Sequence, residues 1–198
     1  MNKRKTEDVM LRHRPAEILI AGAFMFSLSA CVTAIEIGQI APDSRATALD
    51  GASFDLRDAA RTHKAVAVLF LSTVCPYSKF FAEEYRTAFG DYRTRSVLFV
   101  GVFSNRTETS AEIATYARKH GFDIPIIKDG DDRIADQLSA RRTPEAFLFD
   151  REGRLRYHGR VESKYRSPDL RNAIESLLHG VPVKLADTKA FGCAIVRK

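Results

Sequence analysis

Three cysteines occur in 198 residues, and none has a second cysteine three residues away. Cys75 opens the stretch C-P-Y-S, in which Ser78 stands where a second thiol would complete a four-residue redox loop. A short local disulfide is therefore excluded. His63, His120, His158 and His179 show no metal-ligand spacing and read as surface or hairpin residues. There is no glycine-rich phosphate loop, no Ser/His/Asp arrangement, no internal repeat and no low-complexity tract. No metal and no organic cofactor is implied. Nor is there an excess of one charge outside the N-terminus. The formal charge is +6, and without the first thirty residues it is +4, with bases and acids interleaved. That pattern reads as a solvated surface, with no nucleic-acid partner. A hydrophobic content of 45% and a charged content of 28% are a globular balance for one domain with appendages.

The apolar run "ILIAGAFMFSLSA" at residues 18–30 is shorter than the ~20 residues of a bilayer span. It follows Lys3, Arg4, Lys5, Arg12 and Arg14 and ends in small residues, which is the layout of an export signal. The stretch "LSAC" at residues 28–31 resembles a bacterial lipoprotein signal, in which Cys31 is lipidated. A simple cleaved signal and an uncleaved anchor are the alternatives, and Met10 offers a second start with a more compact leader. The expected layout is a signal at 1–30, a linker at 31–40, a domain at 41–180 and a tail at 181–198. The expected location is the cell envelope or periplasm, with the protein held to the membrane at its N-terminus. In such an oxidising compartment the remaining thiols, Cys75 and Cys193, tend to end up oxidised or in use.

Along the chain, residues 37–60 read as a lead-in and a hairpin turning at Asp50-Gly51. "AVAVLFL" at 65–71 is a continuous apolar run, as in a strand buried on both faces. A helix over 75–90 follows, with Pro76 at its first position, an apolar face of Phe81, Tyr85 and Phe89, and Gly90 as stop. Glu83 and Glu84 fall on its solvated side. A second buried strand at 96–103, a helix at 110–121, a short strand "IPII" and a short helix at 132–140 come next. The chain then shows a hairpin at 145–159 and a helix at 167–180, capped by Ser167 and begun by Pro168. Strands alternating with helices imply parallel pairs, and the late hairpin adds antiparallel strands. The expected class is α/β: a mixed central sheet with helices on both faces and an N-terminal hairpin.

Four stretches carry a family resemblance: "GQIAPD…DG…FDL", "FLSTVCPYS", "RTPEAFLFDREGRLRYHGR" and "TKAFGCAIVRK". With Cys-Pro between a buried strand and a helix, and Thr143-Pro144 before a hairpin, the chain resembles the thioredoxin fold. Within it, the chain resembles the redoxin branch: the alkyl hydroperoxide reductase/thiol-specific antioxidant family and the envelope thiol–disulfide proteins. The tail is similar to that of redoxin-like proteins ending in Gly-Cys-x-Ile. The resemblance implies thiol–disulfide exchange at Cys75, with a cis Thr143-Pro144 facing the sulfur. A cis bond there leaves the preceding backbone free to pair with a substrate strand. Peroxidases of the family carry proline seven residues before the catalytic cysteine and Thr or Ser three before it. Ser72 meets the second condition and Val68 departs from the first, which puts hydroperoxide reduction in doubt. Copper-delivery relatives need two nearby cysteines, so His158 is a poor metal candidate.

A thiolate, not a thiol, attacks a disulfide. At the start of a helix, free N–H groups and the helix dipole lower a cysteine pKa. Cys75 is thus the expected nucleophile, reachable by solvent. Pro76, Tyr77, Ser78, Ser72 and Arg142 are the candidate groove residues, with Arg142 a candidate to steady an anionic sulfur. After the first attack, release comes from one of three sources: Cys193, a small thiol or a partner protein. The substrate is a protein or small-molecule disulfide or thiol, and a thiol supplies the electrons. The competing reading is a non-catalytic thioredoxin-fold binding module.

Overall fold

Residues 34–161 and 168–197 are described by the computed structural model. The expected signal, Cys31 and Ser167 lie outside the described residues. Gly51, at φ 89, makes the turn between β1 (Arg45–Thr47) and β2 (Ser53–Asp55), which pair antiparallel. The chain then does something the sequence reading missed. Asp55 accepts the N–H groups of Arg57 and Asp58 and so caps a helix, α1 (Leu56–Thr62), where a hairpin alone was expected.

The centre is β3 (Ala65–Phe70). Val66, Val68 and Phe70 point to one face and Ala65, Ala67 and Leu69 to the other, and all six are buried. β3 lies parallel to β4 (Val97–Phe103), which lies parallel to β5 (Ile126–Lys128).

Between β3 and β4 the expected single helix is two: α2 (Pro76–Phe80) and α3 (Ala82–Arg93), broken at Phe81. Gly90 does not stop it. A helix-interior glycine is unfavourable by only about 1 kcal/mol, and Tyr92 beyond it is buried against Phe99. Phe81, Tyr85 and Phe89 form the buried face.

After β4 comes α4 (Ser110–His120), entered by a Thr109/Glu112 capping box and closed by Gly121 at φ 65. Then follow β5, α5 (Arg133–Leu138) and the two-residue β6 (Arg142–Thr143). β7 (Glu145–Asp150) and β8 (Leu155–Gly159) form the hairpin, and β7 runs antiparallel to β3. The five-stranded sheet has the order β5-β4-β3-β7-β8. α6 (Asp169–Leu178) follows, and Pro168 stands at its cap rather than at the first helical position expected for it.

α3, α4 and α6 pack on one face of the sheet, and α1 and α5 on the other. This is the mixed α/β sandwich the sequence reading expects. Residues 37–41 also pair with the domain: Gly38 N–H donates to Leu155 C=O at 2.7 Å and Ala41 N–H to Gly153 C=O at 2.7 Å. Among the described residues, no helix is long and apolar enough to cross a membrane.

The tail is not loose. Cys193 and Ala194 form β9, which pairs antiparallel with β6 in the register Arg142↔Ala194 and Thr143↔Cys193. A two-residue pairing of this kind has no periodic signal in sequence.

Candidate active site

The chain leaves β3 at Phe70 and turns to α2 through "LSTVC". Ser72 organises that turn. Its Oγ accepts the N–H groups of Val74 and Cys75, each at 3.2 Å, and the Asn105 side-chain amide at 2.9 Å. Ser72 is fully buried and holds the cysteine's backbone, not its sulfur. Ser78 is fully buried as well; its Oγ accepts the Ser72 N–H at 3.2 Å. Both serines shape the loop from below rather than line a groove. Glu108, also buried, accepts the Thr73 N–H, and its Oε2 has no partner among the described residues. Tyr116 donates to the Ser78 carbonyl at 2.9 Å. Asn105, Glu108 and Tyr116 had no signal in sequence, because nothing local marks a loop or helix residue that reaches across 33 to 38 positions.

Cys75 stands at the N-cap of α2, and Pro76 takes the first helical position. The Thr143–Pro144 bond is cis. As a thiol, Cys75 donates to the Thr143 carbonyl at 3.0 Å. The expectation of a solvent-reachable sulfur is overturned: Cys75 is 0% exposed. It lies against β9: its hydrogen-bond acceptor, Thr143, is the residue that Cys193 faces across the β6–β9 pair.

Burial pushes the Cys75 thiol up, but hydrogen bonds to its sulfur outweigh it. The Cys193 thiol is the largest of these influences and the Ser78 N–H the next, and together they bring the pKa from 9.0 to about 7. The helix expected to acidify this sulfur is only five residues long, so most of the effect is local hydrogen bonding. Cys193 moves the other way. Burial first, then the hydrogen bond to Cys75 and the charge on that sulfur, push it to about 11. Near neutral pH Cys75 is therefore partly thiolate while Cys193 stays a thiol, and neither is in a disulfide.

The tail is fitted rather than flexible. Gly192 sits at φ 138, and a Cβ there would lie 2.1 Å from the Thr143 carbonyl oxygen. The glycine beside Cys193 thus permits close approach of two backbones. Phe191 packs edge-on against Tyr77 and Phe81, with ring centroids 5.4 and 6.3 Å away. Arg142 does not steady the sulfur; its Nη1 donates to the Gly192 carbonyl at 3.1 Å. On the other side of β6, buried Glu145 accepts the N–H groups of Arg141 at 2.7 Å and Arg142 at 2.8 Å. His158 on β8 pairs with Glu145 at 2.7 Å and stacks on Phe147. His158 therefore braces the proline loop. Among the described residues, no group of three or more His, Cys, Asp or Glu is arranged to hold a metal.

The sequence profile of the AhpC/TSA family matches residues 37–158. The chain belongs to that family. No curated protein sequence matches it. A hypothetical protein of Sinorhizobium meliloti of known structure is 28% identical, with a TM-score of 0.76 over 84% of this chain and 97% of its own. An uncharacterized conserved protein of Geobacillus kaustophilus is 26% identical, with a TM-score of 0.76 over 83% and 93%. A thiol:disulfide interchange protein of the thioredoxin family from Chlorobium tepidum shares the fold at 18% identity, with a TM-score of 0.61 over 73% and 99%. This redoxin thus combines a thioredoxin-like frame with a cysteine pair split between the β3–α2 junction and the tail.

Proposed function

We propose that this redoxin is an exported thiol–disulfide oxidoreductase in which Cys75 is the nucleophile and Cys193 the resolving thiol. The observation that carries the reading is that Cys75 and Cys193 converge on Thr143, the first through a 3.0 Å hydrogen bond to its carbonyl and the second through the β6–β9 register. When the tail lifts from β6, the Cys75 thiolate attacks a substrate disulfide, forms a mixed disulfide and expels one substrate thiolate. Cys193 loses its proton to that leaving thiolate or to water and attacks the Cys75 sulfur. The second substrate thiol leaves, and a Cys75–Cys193 disulfide remains. A thiol donor then returns two electrons.

The envelope location rests on the basic leader, the apolar run and "LSAC", and the membrane tether on lipidation of Cys31. Hydroperoxide reduction is the less supported activity, because Val68 replaces the expected proline and Arg142 is committed to the tail.

Turnover of a small aromatic disulfide with a dithiol donor tests the reading. Cys75→Ser should abolish turnover, and Cys193→Ser should slow it by at least about tenfold, since resolution becomes intermolecular. Equal, negligible rates for the wild type and Cys75→Ser would instead indicate a binding module.

A further inference from the structure

The disulfide formed by Cys75 and Cys193 has two sulfurs, and the fold treats them unequally. This inference rests on the reading of the two cysteines as a working pair. Cys75 is fully buried, while Cys193 is half-buried. The tail that covers Cys75 is pinned on both sides of Cys193. Before it, Gly192 is held by Arg142, and Phe191 lies on Tyr77. After it, Ile195 N–H donates to the Arg141 carbonyl at 3.0 Å, and Val196 N–H to the Asn105 side chain at 2.7 Å. Arg106 N–H donates to the Val196 carbonyl at 2.9 Å. The backbone edge beside the cis-proline, on which an incoming strand would pair, is therefore occupied by the chain's own tail. An approaching thiol meets the tail first. The exposed large hydrophobic side chains there are Val74, Tyr77 and Phe80 on the α2 side, and Val196 on the tail.

We propose that a thiol opening the Cys75–Cys193 disulfide attacks the Cys193 sulfur, with the tail still docked, and expels Cys75. The incoming thiolate forms a sulfur–sulfur bond to Cys193. The Cys75–Cys193 bond breaks, and its electron pair leaves on Cys75 as a thiolate. A second thiol then attacks the donor sulfur of this mixed disulfide. The donor departs as its own disulfide, and Cys193 leaves as a thiolate that takes a proton from water. Leaving-group chemistry runs in the same direction, since exchange is faster when the expelled thiol is the more acidic. Cys75 is the more acidic of the two. In a two-cysteine redox loop the exposed N-terminal sulfur faces the partner. Here the C-terminal sulfur takes that position while the tail is docked, and Cys75 meets substrate disulfides only once the tail undocks.

The test uses the wild-type full chain, oxidised to the intramolecular disulfide and mixed with reduced glutathione. The reaction is quenched with acid within the first turnover, alkylated with N-ethylmaleimide and mapped by peptide mass. Glutathione on the Cys193 peptide with the alkyl group on Cys75 is expected, in excess over the reverse arrangement by at least about tenfold. Glutathione on Cys75 in equal or greater amount would overturn the proposal. Failure of the underlying reading looks different. No 75–193 disulfide would form on oxidation, and the proposal would fall with it.

Discussion

Cys75 and Cys193 are the same residue type on either side of Thr143, yet they titrate in opposite directions. Against its own burial, hydrogen bonding, first with Cys193, lowers Cys75, whereas burial and then the Cys75 sulfur raise Cys193. The first sits on a local motif. A buried strand ends, Ser72 ties the turn, and Pro76 begins a helix. The second sits on a strand of two residues with no core of its own, placed by pairing with β6 and by Phe191, Ile195 and Val196 on either side. A nucleophile can be built from neighbours in sequence. A cysteine held by a tail has to be placed by tertiary contacts, and single side chains there decide whether the two thiols meet.

The largest break in that comparison should come from Gly192→Ala. A Cβ there collides with the Thr143 carbonyl, and φ 138 is a region that L residues rarely adopt. Undocking of the tail should slow 75–193 disulfide formation on the order of 100-fold, the usual penalty for misplacing a reacting atom by about 1 Å. Stopped-flow oxidation followed by alkylation reads this directly. The nucleophile's side should weaken through its frame. Ser72→Ala leaves the Val74 and Cys75 N–H groups and the Asn105 amide without their acceptor. Chemical denaturation should show a loss of about 1–3 kcal/mol, the range for unsatisfied buried donors.

The pH dependence sharpens the contrast. A lowered pKa means that Cys75 is deprotonated from lower pH, so its alkylation rate should rise with pH through about 7 and level off above. Cys193 should remain unreactive until pH approaches about 11. Cys193→Ala removes a hydrogen bond that favours the thiolate, so the Cys75 midpoint should move up, on the order of one unit. Mapping the alkylated peptides across pH separates the two curves. The smallest effect belongs to Phe191→Ala, which loses edge-on contacts worth about 0.5–1.5 kcal/mol for an aromatic pair. Its signature should be faster alkylation of Cys75, as the tail opens more often, with little change in melting temperature.

Much of the fold was legible in the sequence because its signals are local. The doubly buried strand at 65–70, the Asp50-Gly51 turn, the capping of α4 by Gly121 and the 145–159 hairpin all follow from period, turn residues and glycine. Helix α1 was missed because its start depends on one Asp55 cap after a strand of three residues. The break at Phe81 was missed because the apolar face continues across it. At the site, Cys75 and Thr143-Pro144 were legible as motifs. The burial of Cys75, the partner of Arg142 and the bracing of β6 by Glu145 and His158 were not. The first two depend on the tail filling an edge some 50 residues away in sequence. Glu145 reaches back only three and four residues, but across a proline turn that no helix or strand period reports.

The central claim is that Cys75 and Cys193 form one redox pair, and the mass of the non-reduced, mildly oxidised protein tests it most directly. The account predicts a chain two hydrogens lighter, with a single cross-linked peptide joining residues 75 and 193, and no such species in Cys193→Ser. Two free thiols under conditions that oxidise an ordinary dithiol, or a disulfide between two copies of the chain in place of the internal one, would contradict it.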